Sequence, residues 1–539
     1  MKHYLARKTG LAILVALVTA ILITGPAIAQ DEKVLRVAMT LSDIPATAGS
    51  PDQGAEGERF TGITLYDSLV GWDLSQGDTP AELAGFLAES WTVNDTDERV
   101  WTFKLRDGVT FHDGSDWNAA AAVWNFDKLL NKGSTQYNER LAAVSGGYIA
   151  DVIAYEAVDR LTFRVTTKAP NALLPFSLTE VWFVSPSHWE SLGGDWDAFA
   201  QDPSGTGPFK FDKMVPRERL EMVANKSYWN PARVPGFDRL VLLPIPDASA
   251  RTAALLSGQV DWIEAPATDA LKKIEASGFT ITSNSYPHVW PWMLNTTKNS
   301  PLAEVDLRRA LNLAIDREGI VTLLGGYAFT ASGSVRSNSP WYGNPEHKIT
   351  YDPAAARKLL EKHGFDTNNP LELNVIISAS GSGQMSPLAM NEYIQQNLAD
   401  VGVKVNYEVL EWNALRGRRN GGALAQENLE LDGINSSWVT TDPFFGFVFM
   451  LDSKMVAPSG INFGHVNDPV IDELTAGLKT AFETKERDAL MAQLHARFVD
   501  QAYWLFVVHD ANPRAMSPKI SGFIPAQSWH QDLATISLP

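Results

Sequence analysis

Residues 352–409 read DPAAARKLLEKHGFDTNNPLELNVIISASGSGQMSPLAMNEYIQQNLADVGVKVNYEV, and this stretch decides the fold class. Asp352 and Pro353 are an N-cap and a first-turn proline for a helix. Leu359 and Leu360 fall on its core-facing side, and Gly364 supplies a left-handed stop. Residues 371–377 (LELNVII) read as a strand, 390–398 as a second helix, and 403–409 (VKVNYEV) as a second strand. Helix, strand, helix, strand is the pattern of parallel strands joined by crossover helices, so the chain is read as α/β.

The pattern extends in both directions. Upstream, residues 306–324 carry Leu307, Leu311, Ala314 and Ile315 on one helical stripe. In the first half, VLRVAMT (34–40) reads as a strand, and the Gly/Pro/Ser-rich stretch 42–60 reads as a loop. WTFKLR (101–106) alternates, and Asp107-Gly108 then offers a hairpin turn into Val109-Thr110-Phe111-His112. Ser115 or Asp116 is placed to cap a helix running through Ala119, Ala122, Phe126 and Leu129. Residues 161–167, 220–229 and 239–245 add strands. There is no strict repeat, no low-complexity region and no charge block, so domain junctions are expected in short crossings of the chain.

The amino terminus sets the compartment. MKHYLARK is basic, residues 10–23 (GLAILVALVTAILI) are apolar, and Gly25-Pro26-Ala27-Ile28-Ala29 ends in an A-x-A site. These are the three regions of a secretory leader, expected to be cut between Ala29 and Gln30. No cysteine occurs in the 539 residues, which excludes disulfides, a thioether lipid anchor and thiol nucleophiles. The formal charge of −18 becomes −21 when the leader's three bases are lost, and so acidic a chain repels nucleic acid and anionic lipid. Free release into a Gram-negative periplasm fits all of this.

Catalytic motifs are missing. The sequence holds no G-x-S-x-G elbow, H-E-x-x-H, P-loop or G-x-G-x-x-G fingerprint. His112-Asp113 beside a turn reads better as a capped turn than as a metal site, and Glu427 with Glu430 reads as a solvated face. The remaining histidines are scattered, which disfavours nickel or haem capture.

Five blocks in order carry a resemblance over most of the mature length. They are residues 101–129 (WTFKLRDGVTFHDGSDWNAAAAVWNFDKL), 205–211 (GTGPFKF) with Ser227-Tyr228-Trp229-Asn230, 294–320 (LNTTKNSPLAEVDLRRALNLAIDREGI), 351–365 and 394–405. Together they resemble the bacterial extracellular solute-binding proteins of family 5, the peptide, opine and nickel class, with Arg308 in the family's arginine slot.

The resemblance implies a two-lobed α/β clamshell with an extra subdomain in the first lobe. The implied limits are 30–288 for lobe one, with the subdomain at roughly 80–204, then 289–504 for lobe two and 505–539 for the return. It also implies a monomer that closes on a solute without catalysis or cofactor and then docks on the permease subunits of an inner-membrane ABC importer. The expected ligand is a small peptide or a peptide-like or opine solute. An oligosaccharide is the alternative within the class, given 17 tryptophans. A secreted hydrolase on a two-lobed scaffold is the alternative outside it.

Candidate ligand residues follow from the same comparison. Peptide-binding members place a carboxylate three residues after a tryptophan, where it meets the ligand's ammonium. In SSWVTTDPFF (436–445), Thr441 fills that slot after Trp438, and Asp442 comes one later, before Pro443. Asp442 is thus either a shifted ammonium anchor or an N-cap of the following helix. Trp412, just after the strand 403–409, sits where open sheets bind ligands. Arg416 is a carboxylate clamp candidate, with Arg418 and Arg419 beside it either sharing that role or forming a solvated patch. Arg336 lies on a loop expected to face the cleft.

Overall fold

The computed structural model describes residues 32–381, 385–457 and 459–539, and the expected leader with its Ala29–Gln30 cleavage point lies outside them. Residues Lys33–Pro539 form one compact unit built on two large sheets.

The second sheet is ordered Ala328–Thr330, Trp504–Asp510, His288–Leu294, Gly433–Asn435, Leu371–Ser378, Val403–Leu410, with Trp438–Val439 paired to the His288 strand off this path. Leu371–Ser378 runs parallel to Val403–Leu410, in register from Leu371↔Val403 to Ser378↔Leu410, and parallel to Gly433–Asn435. The connecting helix is Pro387–Ala399. The expected crossover unit is therefore present, and antiparallel strands extend it on the far side. Asp352 caps Pro353–Lys362 by accepting the Ala355 N–H at 2.9 Å, and Gly364 at φ +85° ends that region.

The first sheet runs Thr280–Thr282, Arg514–Met516, Trp262–Glu264, Val34–Met39, Arg239–Pro244, Arg219–Ala224, Phe209–Val215. Val34–Met39 is parallel to both its neighbours, and the outer pairs are antiparallel. A separate antiparallel sheet, Ala88–Asn94, Asp97–Leu105, Thr162–Thr167, Val152–Asp159, lies within the span expected for the subdomain.

The chain leaves the first sheet after Thr282, enters the second at His288, and returns between Asp510 and Arg514. Residues 288–294 and 504–510, beside these passages, are wholly buried strands of the second sheet. Asn512 sits in the return at φ 32°, a left-handed conformation that asparagine tolerates better than most residues. Trp290 and Trp292 are fully buried in the second core, and the Trp292 indole donates to Asn391 Oδ1 at 2.9 Å.

Four local expectations are corrected. The stretch 42–60 is not all loop: Ala55–Gly57, Glu58–Gly62 and Ile63–Leu65 form a continuous helical run with a π turn. Long-range burial overrides its glycines, since Glu56 accepts the Thr40 N–H at 2.7 Å and Arg59 pairs with Glu264, all out of solvent. Val109–His112 does not form a hairpin with Asp97–Leu105, whose partners are Ala88–Asn94 and Thr162–Thr167. The helix Ala119–Leu130 is capped by Asn118, whose side chain accepts the Ala121 N–H at 3.1 Å, not by Ser115 or Asp116. The single helix expected over 306–324 is two, Val305–Ala314 and Arg317–Leu323, because Ile315 is extended and Asp316 caps the second by accepting from Gly319.

His112 is held by backbone on both ring nitrogens, Gly207 O at 3.0 Å and Gly205 N at 3.3 Å, and burial pushes its pKa down to about 4. No helix among the described residues is long and apolar enough to cross a membrane.

Candidate functional site

Glu411 ends the strand Val403–Leu410 and turns the chain into the helix Trp412–Gly421 by accepting the N–H groups of Asn413 and Ala414 at 2.8 and 3.3 Å. On that helix Trp412, Arg416 and Arg419 follow at i, i+4 and i+7, which places them on one face. The face closes a cavity of about 530 Å³ whose walls come from both lobes. That volume is in the range of small-molecule sites.

Contacts across the gap show the lobes together. The Trp412 indole donates to Gln53 O at 3.2 Å, the Ser42 hydroxyl reaches Glu411 at 3.1 Å, and the Ala172 N–H donates to Lys479 O at 2.7 Å.

Trp438, from the short strand Trp438–Val439, lines the same cavity. Its ring stacks on Phe445 at 4.6 Å, and its N–H donates to Phe445 O at 3.3 Å. Tyr148 from the first lobe packs against Phe445 and Phe449 at 5.8 and 6.1 Å. Trp182 and Trp529 complete the aromatic walls. Trp529 is fixed by face-to-face stacking on His288 at 4.0 Å, and His288 Nδ1 lies 3.2 Å from Asp510 Oδ1.

The other sequence candidates fall elsewhere. Asp442 is buried behind the wall, and its Oδ1 accepts the Phe445 N–H at 2.8 Å at the start of the turn Phe444–Val448. Burial pushes its carboxyl up to about pKa 6, against the lowering effect of those backbone N–H groups. Thr441 is half-buried beside it and does not line the cavity. Arg336 lies over the Phe329 ring at 3.8 Å and donates to Ser285 Oγ at 2.5 Å, next to the first passage between sheets. The structure thus brings Trp412, Arg416 and Trp438 together and leaves Thr441, Asp442 and Arg336 off the wall.

Acidic groups on the first-lobe wall escaped sequence reasoning. Glu58, Glu180 and His530 present their ligand atoms within 4.8 Å of one another, and His530 Nε2 is 3.3 Å from Glu58. Burial, then the Glu58 and Asp442 carboxylates, hold the Glu180 carboxyl well above its usual range. Such a group can share a proton or accept a cation. At the rim, Arg140 sits 3.8 Å from Asp52. Glu58, Glu180 and His530 come from three segments far apart in sequence, so no local spacing announces them. Arg419 had a signal in its spacing from Arg416 and Trp412.

Comparison with known proteins agrees with this architecture. Residues 82–454 match the model of the bacterial extracellular solute-binding proteins, family 5 middle. Heme-binding protein A of Haemophilus influenzae is 28% identical over 482 residues, 85% of this chain and 84% of that protein. The glutathione-binding protein GsiB of Pectobacterium atrosepticum is 26% identical over 512 residues, 94% of each. Among solved structures, the periplasmic binding protein DppA of Helicobacter pylori in complex with the peptide STSA superposes with a TM-score of 0.81 at 23% identity, covering 94% of this chain and 98% of that one.

Proposed function

This chain belongs to the bacterial extracellular solute-binding proteins of family 5, and we propose that it captures a small peptide or peptide-like solute between its lobes for an ABC importer. The observation that carries the reading is the division of charge in the cavity. Its acids Glu58 and Glu180 come from the first lobe, where Arg140 at the rim is offset by Asp52, and Arg416 and Arg419 come from the second. A ligand bearing an ammonium and a carboxylate meets both only when the lobes are together, so its binding energy favours closure. Glutathione and peptides, the ligands named for two of the similar proteins, carry both charges.

In this reading Glu58 and Glu180 face the ammonium, Trp412, Trp438 and Tyr148 cover the body of the solute, and Asp442 serves as a helix cap. An oligosaccharide is disfavoured because it would leave buried charges unpaired. The reading takes residues 33–287 and 511–539 as lobe one, with the subdomain within 80–204, and 288–510 as lobe two. It takes the mature protein to begin at Gln30 in the periplasm, to act as a single chain, since one chain supplies both walls, to deliver its solute to inner-membrane permease subunits, and to turn nothing over.

Calorimetric titration with glutathione, mixed di- and tripeptides, haemin and a disaccharide tests it, with the recovered solute analysed for cleavage. Micromolar or tighter binding of a zwitterion, recovered intact, is expected. Preference for the disaccharide or haemin, or recovery of a cleaved solute, would overturn it.

A further inference from the structure

The two arginines flanking each other at the end of the helix Trp412–Gly421 have opposite fates. Arg418 turns outward to Asn428 Oδ1 at 2.6 Å, Glu427 O at 2.5 Å and Glu408 at 3.4 Å. Arg419 turns inward, is 5% exposed and lines the interlobe cavity. Its guanidinium lies over the Trp438 ring at 5.1 Å. Nε and Nη2 both donate to Asn420 Oδ1, at 3.2 and 3.1 Å, and Nη1 donates to Ser436 Oγ at 3.1 Å. Both acceptors are neutral. Of the five N–H donors of a guanidinium, two are left without an acceptor among the described residues.

Other buried arginines of this chain are satisfied differently. Arg59 and Arg514 share Glu264, and Arg233 pairs with Asp532. Arg251, Arg308 and Arg317 spend their donors on backbone carbonyls inside the core. Arg419 has neither a carboxylate nor a cage of carbonyls, and the charge nearest to it along its own helix face is a second cation. That residue, Arg416, is half-buried and makes no hydrogen bond or ion pair with the described residues. Burial, reinforced by Arg416, lowers the Arg419 pKa to about 9. A buried cation without a counter-charge is costly, and a planar fork with free donors fits a carboxylate.

We propose that Arg419, held flat by Trp438 and assisted by Arg416, receives the terminal carboxylate of the ligand and so selects free acids over their amides. The proposal rests on the peptide-like reading above. No residue of the described protein competes for the two free donors, so the ligand's oxygens fill an unoccupied need and do not displace a built ion pair.

The test offers an equimolar library of dipeptides with free carboxylates and the matched library of C-terminal amides to wild type, R419Q and R419K, with retained species read by native mass spectrometry. Wild type is expected to retain acids at least tenfold over the matched amides. R419Q is expected to lose that preference, with the retained acids falling at least tenfold, and R419K to keep a part of it. Because Arg419 has only neutral partners and no counter-charge in the protein, ligand-free R419Q should melt at or above the wild-type temperature while losing the ligand-induced shift. A purely structural role would instead lower the ligand-free melting temperature. Equal retention of acids and amides by wild type overturns this inference and leaves the function standing. Retention from neither library overturns both. Displacement of retained acids by millimolar inorganic phosphate, with phosphate itself then held at Arg419 and lost in R419Q, would assign a phosphate and overturn the carboxylate.

Discussion

Replacing Asp442 with asparagine keeps an oxygen acceptor for the Phe445 N–H and removes the ionisable one. In the folded protein this carboxyl holds its proton to about pH 6, against an ordinary value of 3.8, because it is buried behind the cavity wall. The folded state therefore binds more protons than the unfolded state between these limits. The stability this group contributes is fully present below pH 4 and is lost as pH rises through about 6. At ~1.4 kcal/mol for each tenfold change in proton concentration between these limits, the loss is about 3 kcal/mol as an upper figure. Asp442→Asn should thus match wild type within about 1 kcal/mol at pH 4 and exceed it by up to about 3 kcal/mol at pH 8. Urea unfolding followed by tryptophan fluorescence at the two pH values reads both. The same variant should bind the ligand within a few-fold of wild type, since the carboxylate does not line the cavity. A variant less stable than wild type at pH 8, or a loss of affinity of a hundredfold or more, would refute the capping role and restore Asp442 as the ammonium anchor.

Two further substitutions probe the two lobes separately. Glu180→Gln relieves the buried like-charge contact with Glu58, so the ligand-free protein should gain stability at neutral pH. The same change should weaken a ligand with a free ammonium by roughly 2 kcal/mol, about 30-fold, and leave its N-acetylated relative unchanged. Equal effects on both ligands in calorimetry would place the ammonium elsewhere. Trp412→Phe keeps a ring on the wall but removes the indole N–H donated to Gln53 O across the gap. Affinity should fall about fivefold, the equivalent of one hydrogen bond of ~1 kcal/mol, with a larger open fraction by small-angle scattering at subsaturating ligand. An unaltered affinity and scattering profile would show that this bond does not favour closure.

Local rules and the resemblance gave much of this molecule, and long-range burial gave the rest. The unit over 352–410 was legible because caps, a left-handed glycine and strand periodicity all act within a few residues, and the structure keeps each of them. The helical run Ala55–Leu65 was not, because Arg59 and Glu56 are stabilised by Glu264 and Thr40, partners that local sequence does not present. Half the cavity followed the same division. Trp412 and Trp438 lie at strand ends of an open sheet, where position alone suggests a ligand, and Arg416 follows Trp412 one helical turn on. Glu58, Glu180 and His530 meet only after the chain has crossed to the second lobe and come back. Arg419 was readable as a neighbour on the Arg416 face, but periodicity cannot tell a solvated arginine from one folded under a tryptophan.

In the proposed closed state the lobes hold a zwitterion bridged between first-lobe acids and second-lobe arginines. Native mass spectrometry of protein incubated with a bacterial metabolite extract, then washed and released by denaturation, measures this most directly. One class of retained solute is expected, carrying both an amine and a carboxylate, bound one per chain and released chemically unchanged. A retained solute lacking either charge, or a product cleaved from what was supplied, would contradict it.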